Sequence, residues 1–171
     1  MGFLDKLTGT RYPESGVVPR SVEEVRAALF AVNGPDVPYR VRNALPKERG
    51  DLVAEWRVRE AAWHTFFVRT QLKQTFETRL RLVSETHEVR NIDEQHEAKW
   101  IGDPPRLTVS RGFSRGQLVM VSRRWELERG PDGRRHLTEV DRFDPVELKY
   151  RLREAVLAAG WVWRGVAFGR L

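Results

Sequence analysis

The sequence predicts an α+β protein, with an N-terminal helix, a strongly curved antiparallel sheet or barrel of about seven to nine strands, and a buried C-terminal helix. Near both ends of the chain, apolar residues recur at intervals of three and four, which is the spacing of an amphipathic helix. Between residues 39 and 143 they recur at every second position, which is the spacing of strands with one wet face. Because no helix of crossover length interrupts this region, we expect an antiparallel meander.

The N-terminal helix is predicted to begin after Ser21, because Ser21 and Glu24 have the three-residue spacing of a capping box. Gly34 then supplies a signal for its end. Ahead of this helix, residues 1–20 are rich in turn-forming residues and are predicted to be an N-terminal arm and connector. The remaining residues, 21–171, are predicted to form a single α+β domain.

The C-terminal helix is predicted to begin at Pro145, with Asp144 as its N-cap, and to end at Gly160. The tail over residues 161–168 is too apolar for a loose terminus, so it is expected to add a final strand or to pack over the helix. The predicted turns between strands are residues 84–87, 102–105 and 130–133.

The formal net charge of +6 is carried entirely by the C-terminal part of the chain. Residues 1–104 contain 16 basic and 16 acidic side chains, whereas residues 105–171 contain 14 and 8. Arginine outnumbers lysine by 25 to 5, and its planar donor fork suits phosphate and carboxylate groups. Two interpretations remain open: a GC-rich genome that encodes arginine at tolerant surface positions, and a functional anionic partner.

The segment 111–116 carries two glycines and is predicted to be a loop, turn or β-bulge. Loops present cations outward, and glycine lets an anion approach the backbone closely. The turn near residues 130–135 is expected to present cations in the same way. The anion-binding candidates are therefore Arg111, Arg115, Arg134 and Arg135.

Strand parity places five ionisable residues on otherwise apolar strand faces. Such groups either pair with one another or line a wet cavity, so internal ion pairs and a polar pocket in the curved sheet both remain open. The polar-pocket candidates are Glu94, His96, Arg123, Glu139 and Asp141.

Several classes of chemistry lack the residues or the spacing that they need. The chain has no cysteine, which excludes disulfides, thiolate metal sites and cysteine nucleophiles. The four histidines lack metal-ligand spacing, and no phosphate-binding, dinucleotide-binding or serine-hydrolase motif is present. We therefore expect no cofactor, no metal and no catalytic residue. No apolar run is long enough to span a membrane and no leader is visible, so the expected compartment is the cytoplasm.

The leading hypothesis is a non-enzymatic cytoplasmic binding or accessory protein that engages an anionic protein or lipid surface through the Arg-rich C-terminal region. An alternative is a small-ligand carrier or an enzyme that uses the polar strand-face residues. A third hypothesis is nucleic-acid binding, which a sequence pI near 10.1 supports and the lack of a recognisable module opposes.

Four stretches resemble a set of small uncharacterised actinobacterial proteins of the streptomycete type. The stretches are residues 1–10, 32–39, 51–57 and 158–169. This resemblance implies no catalytic or binding residue. The order of predicted elements is also similar to tubby-like and scramblase-like barrels, in which antiparallel strands surround an apolar C-terminal helix. That likeness concerns architecture only and implies no function.

Overall fold

The computed structural model describes residues 5, 8–69, 74–116, 125–129, 135–139, 145–166 and 171. Within these residues the helices are α1 (Val22–Phe30), α2 (Ala61–Arg69) and α3 (Pro145–Ala158), with 3₁₀ turns at Pro46–Glu48 and Ser84–Thr86. The strands are β1 (Tyr39–Asn43), β2 (Leu52–Trp56), β3 (Gln74–Val83), β4 (Glu88–Ile101), β5 (Arg106–Gly116), β6 (Trp125–Arg129), β7 (Arg135–Glu139) and β8 (Val162–Gly165).

The main sheet is a half-open barrel in which β1 to β5 lie side by side in chain order, each pair antiparallel. β8 joins this sheet by pairing with β4 in parallel. The edge of β4 that faces away from β3 is shared, because β8 pairs with Glu88–Asn91 and β5 pairs with Asp93–Ile101. β6 and β7 pair with each other as an antiparallel ribbon.

The α+β class and the antiparallel pairing of β1 to β5 are confirmed. The strand count agrees only roughly, since the described residues contain eight strands and six of them share the main sheet. One of the two predictions for the tail is confirmed, since β8 adds a final strand to the sheet. Its parallel direction was not predicted, and it arises because the chain returns through α3 before it reaches β4. The expectation of strands alone between residues 39 and 143 was wrong, because this region contains α2, whose Trp63, Phe66 and Phe67 follow helical spacing.

α1 begins as the sequence predicts. The Ser21 hydroxyl accepts from the Glu24 main-chain N–H at 3.3 Å, and the Glu24 carboxylate accepts from the Ser21 N–H at 2.9 Å. Val25 and Leu29 are fully buried one turn apart on the helix. Beyond the helix, the Asn33 side chain accepts from the Val41 N–H and donates to the Val41 oxygen. This amide therefore occupies part of the open edge of β1.

α3 buries one side of its length. Leu148, Leu152 and Val156 are buried, whereas Tyr150 and Arg151 are exposed. The prediction of a buried C-terminal helix thus holds for one face of the helix. We use the name helix-covered face for the side of the sheet whose residues share a core with α1 and α3. Its residues include Tyr39, Val41, Leu52, Ala54, Trp56, Leu80, Val89 and Trp163.

The connector ahead of α1 is fixed to the C-terminal part of the chain. Arg11 and Trp163 exchange two main-chain hydrogen bonds of 2.8 and 2.9 Å, and the Trp161 indole N–H donates to the Arg20 oxygen at 2.8 Å. Gly160 has a φ of +74°, and a Cβ there would lie 2.8 Å from the Val18 oxygen. Glycine is therefore required at this position by both conformation and space.

The segment 111–116 is part of β5, so its prediction as a loop or turn was wrong. Where a β-bulge was the alternative prediction, the register between β4 and β5 is irregular. On β4 the register passes from Gln95, opposite Ser114, to His96, opposite Arg111, which leaves Gly112 and Phe113 without a register partner. β5 thus continues through Gly112 with two more residues than the stretch of β4 that it pairs with.

Candidate functional site

The side of the sheet opposite the helix-covered face is charged. Because strand residues alternate between faces, the neighbours of the core residues on β1 to β4 project to this second side. They line a groove of about 1460 Å³. We call this surface the charged face. Its groove-lining members on these strands include Arg40, Arg42, Glu55, Glu77, Arg79, Arg81, Glu94 and His96.

A row of three carboxylates crosses the middle of the charged face. Glu55, Glu77 and Glu94 occupy successive register positions on β2, β3 and β4, and we call them the carboxylate row. Like charges directly opposite each other destabilise a sheet, so this row needs adjacent cations. Arg79 lies 3.0 Å from Glu77 and also binds Glu94, while Arg40 lies 2.7 Å from Glu55. These contacts compensate the carboxylate charges on the groove floor.

Arg42 is held between two carboxylates near the β1–β2 connection. Its guanidinium lies 2.8 Å from Glu48 and 3.0 Å from Glu55. Hydrogen bonds with Arg42 lower the pKa of Glu48 to about 2. Burial by itself would raise the pKa of Glu55, but hydrogen bonds from Arg42 and Arg40 outweigh burial and lower that pKa. This end of the groove is therefore a fixed ionic lattice.

Two buried nitrogens at the other end of the groove have no hydrogen-bond partner among the described residues. His96 Nε2 is 3.9 Å from Glu77 Oε2, and Arg57 Nε is 3.9 Å from Glu60 Oε2, both beyond hydrogen-bond distance. A buried polar atom without a partner loses about 1–3 kcal/mol of hydration free energy. These atoms thus mark a polar location in the groove that the described side chains leave unsatisfied.

Three arginines occupy adjacent register positions on β3, β4 and β8, at the same end of the strands as the β1–β2 connection. Arg81 on β3 lies opposite Arg90 on β4, which lies beside Arg164 on β8, and we call them the arginine row. Glu88 lies 3.3 Å from the Arg90 guanidinium and 2.7 Å from that of Arg164. Arg81 donates to the main-chain oxygens of Leu171 and Arg49. Only Arg81 of this row lines the groove.

The rim of the groove carries further cations. Lys47, Arg49 and Arg59 line the groove with exposed side chains. Across the described residues none of the three makes a side-chain hydrogen bond or ion pair. Among the described residues, the groove therefore combines a compensated floor with a positive rim whose charges have no partner, and we call this the uncompensated positive rim.

The structure brings two of the five polar-pocket candidates together. Glu94 and His96 both line the groove on β4. Glu139 belongs to β7, where its backbone lies opposite Trp125, and its side chain is not among those that the structure describes. Arg123 and Asp141 lie wholly outside the described residues.

The anion-binding candidates are placed only in part. The backbone register sets Arg111 opposite His96 and Arg115 opposite Glu94. Arg135 is in β7, opposite Arg129, and Arg134 falls outside the described residues. The expectation that Arg111 and Arg115 lie in a loop is corrected, because β5 extends over both of them.

Neither the arginine row nor the groove rim was predicted from the sequence. Arg79 and Arg81 alternate with apolar residues on β3, and this alternation indicates a solvent-exposed strand face but not which residues the two arginines contact. The predicted hairpin at residues 84–87 contained the missing signal, since it sets the register that brings Arg81 opposite Arg90. Arg164 could not be found in this way, because its parallel pairing with β4 is not local.

Comparisons with protein-family models, curated proteins and solved structures gave no match. In the part of the chain that the structure describes, no group of three or more potential metal ligands is close enough to hold a metal ion. Among the same residues, no helix is both long enough and apolar enough to cross a membrane. The functional argument therefore depends on the groove and its charges.

Proposed function

We propose that this chain is a non-enzymatic cytoplasmic binding protein whose groove holds an acidic segment of a partner protein. The observation that carries the proposal is the uncompensated positive rim formed by Lys47, Arg49 and Arg59 around a concave floor. Oppositely charged patches steer association and fix the register of an interface. An acidic segment that enters the groove would meet these cations first.

The shape and charge of the groove favour a protein segment over the other anionic partners. A lipid surface is flat on this scale and could not reach the carboxylate row at the floor. A nucleic-acid backbone carries a negative charge at every phosphate, but the arginines of the groove floor already bind Glu55, Glu77 and Glu94, so the floor offers few free cations to a chain of phosphates. A peptide can place its acidic side chains at the rim and neutral groups over the floor.

The proposal includes the Arg-rich C-terminal region. β5 continues the sheet beside the groove, and its backbone places Arg111 and Arg115 next to His96 and Glu94 in register. We assign these two arginines to the same binding surface, and Arg134 and Arg135 stay anion-binding candidates from the sequence alone. Charge reversal at Arg111 and Arg115 is expected to weaken binding of the acidic segment.

The test is binding of a short fluorescent peptide of alternating Glu and Gly, followed by anisotropy at low and high salt. Arg49→Glu combined with Arg59→Glu should weaken binding about tenfold, which corresponds to ~1.4 kcal/mol. The matched control is Arg20→Glu combined with Arg106→Glu, because both arginines are exposed and lie outside the groove lining. Equal affinity of the two double variants would contradict the proposal.

Two parallel titrations compare the other partner classes. Vesicles that contain phosphatidylserine test a lipid surface, and single-stranded RNA and duplex DNA test nucleic acid. One of these probes could bind more tightly than the peptide and lose that binding in the Arg49→Glu, Arg59→Glu variant. In that case the partner belongs to the class of that probe and is not an acidic protein segment.

A second candidate function is a small-ligand carrier or an enzyme. The unsatisfied nitrogens of His96 and Arg57 favour it, because a ligand in the groove could supply the missing hydrogen-bond partners. A thermal-shift screen of small polar compounds tests this candidate. A hit that raises the melting temperature of the wild type and of His87→Gln, but not of His96→Gln, would support it. Compounds that raise the melting temperature of His96→Gln as much as that of the wild type would contradict this candidate.

A further inference from the structure

The arginine row places three like charges next to one another on one face of the sheet. Arg81, Arg90 and Arg164 are register neighbours on three adjacent strands, so their side chains leave the same face. Neighbouring strands are ~4.8 Å apart, which puts the first and last Cα atoms of the row about 10 Å apart. Directly opposed like charges are destabilising, so this arrangement favours anionic groups beside the arginines.

One carboxylate accompanies the row. Glu88 lies 2.7 Å from the Arg164 guanidinium and 3.3 Å from that of Arg90. Within the described residues the three guanidinium groups share one carboxylate side chain, so the cluster keeps an excess of positive charge. Arg81 donates to the main-chain oxygens of Leu171 and Arg49.

The row is accessible and has unused donors. The Arg90 and Arg164 side chains are 39% and 35% exposed. Arg90 uses its Nε in the contact with Glu88, and its two terminal nitrogens make no hydrogen bond within the part of the chain described here. Unused guanidinium N–H groups form short, charge-assisted hydrogen bonds with anionic oxygens.

We infer that the arginine row binds a phosphoryl dianion. A phosphate monoester carries up to two negative charges and three strong acceptor oxygens, which suit the excess positive charge of the row and the unused N–H groups of Arg90. A single carboxylate would supply one negative charge and fewer acceptor oxygens. The phosphoryl group has two possible sources, a phosphorylated side chain of a bound protein segment or a small phosphorylated molecule. The inference does not rest on the proposed function: Arg81 lines the groove, but the variants that test the row change Arg90 and Arg164, which lie outside the groove lining.

The first experiment titrates the full chain with inorganic phosphate while ionic strength is held constant with chloride, using calorimetry and thermal unfolding. Phosphate should raise the melting temperature, since a ligand that binds the native state stabilises it. Arg90→Gln should weaken phosphate binding about tenfold, as expected for the loss of a hydrogen bond to a charged group. Arg106→Gln, which removes an exposed arginine outside the row, should leave phosphate binding unchanged.

Two more variants keep the test decisive if Arg90→Gln does not fold. Arg164→Gln should weaken phosphate binding by a similar factor, whereas Glu88→Gln should strengthen it, because the substitution removes the negative charge beside Arg90 and Arg164. If phosphate raises the melting temperature no more than chloride does, or if Arg90→Gln and Arg164→Gln respond like wild type, the row does not bind a phosphoryl group.

A competition experiment identifies the source of the group. An acidic peptide with one phosphoserine displaces inorganic phosphate if the group is borne by a protein segment, and fails to displace it if the site takes a small phosphorylated molecule. The unphosphorylated peptide, measured in the same samples, reports on the groove alone. Peptide binding without phosphate binding would overturn this inference only, and phosphate binding without peptide binding would overturn the proposed function only.

Discussion

The helix-covered face and the charged face of the sheet share the same strands but hold them together by different means. On the helix-covered face, residues such as Leu52, Leu80 and Val89 are completely buried against α1 and α3. On the charged face, the alternating residues of the same strands form a lattice of arginines and glutamates around a groove. Because alternation along a strand separates the two faces, each can change without altering the pattern of the other.

This difference predicts where stability and binding reside. Burial of apolar area contributes about 25 cal/mol per Å² and needs no particular partner. An ion pair gains little when both partners are replaced together, but removal of one partner leaves an uncompensated charge. We therefore expect the largest losses of stability from the helix-covered face, and losses of binding with small changes in stability from the rim of the charged face.

The largest expected effect is the truncation of a core residue. Leu152→Ala removes a fully buried side chain of α3 and should lower the free energy of unfolding by about 2–5 kcal/mol. Urea denaturation measures the change. Leu45→Ala is the matched control on the other side of the molecule, since Leu45 is 51% exposed and lines the groove rim. Similar losses for the two variants would break the comparison between the faces.

A slightly smaller loss is expected from Gly160→Ala. The new Cβ would lie 2.8 Å from the Val18 oxygen and 2.9 Å from Pro19 atoms, in addition to the strain of a positive φ. A loss of about 1–3 kcal/mol in the free energy of unfolding is expected. Gly16→Ala is the control, because Gly16 also has a positive φ but its Cβ would meet nothing within 4 Å. If Gly16→Ala costs as much, the close approach of the connector contributes nothing.

The charged face should affect stability through pH. The pKa of Glu48 is lowered from 4.5 to about 2, first by its hydrogen bonds with Arg42. A lowered pKa means that the stabilising contribution is present above pH 4.5 and is lost as the pH falls toward 2. The difference in unfolding free energy between wild type and Glu48→Gln should therefore shrink over this interval. If this difference in unfolding free energy stays constant from neutral to acidic pH, the carboxylate of Glu48 is not stabilised by the ionic lattice.

The helix-covered face was the more predictable of the two. The spacing of Val25 and Leu29 and the capping box at Ser21 depend on neighbours within a turn, so the chain itself contains the information. The same is true of the turn before β4. The parallel pairing of β8 and the helix α2 were missed, because the first depends on contacts distant in sequence and the second lies between strands whose alternation hid its spacing.

The candidate site could be predicted only where strand parity sufficed. Parity placed Glu94 and His96 on one face, and both line the groove. It could not supply the partners of these residues, because those partners depend on the register of three or more strands and on the bulge at Gly112 and Phe113. A site assembled across a sheet is thus less visible in a sequence than the core beneath it.

The smallest expected effect sharpens the comparison, because it concerns a polar atom on the apolar side. Tyr39 is fully buried on the helix-covered face, and its ring packs edge-on against Trp56 at 5.4 Å. Its hydroxyl has no hydrogen-bond partner in the part of the chain that the structure describes. Burial also raises the pKa of Tyr39, which keeps the phenol neutral.

Tyr39→Phe retains the ring and removes only the unsatisfied hydroxyl, so it should raise the free energy of unfolding by up to about 1 kcal/mol. Urea denaturation of Tyr39→Phe beside Tyr150→Phe, where the hydroxyl belongs to a half-exposed residue, measures the effect. A loss of stability in Tyr39→Phe alone would show that the hydroxyl is satisfied and that this face, like the charged face, depends on a polar contact.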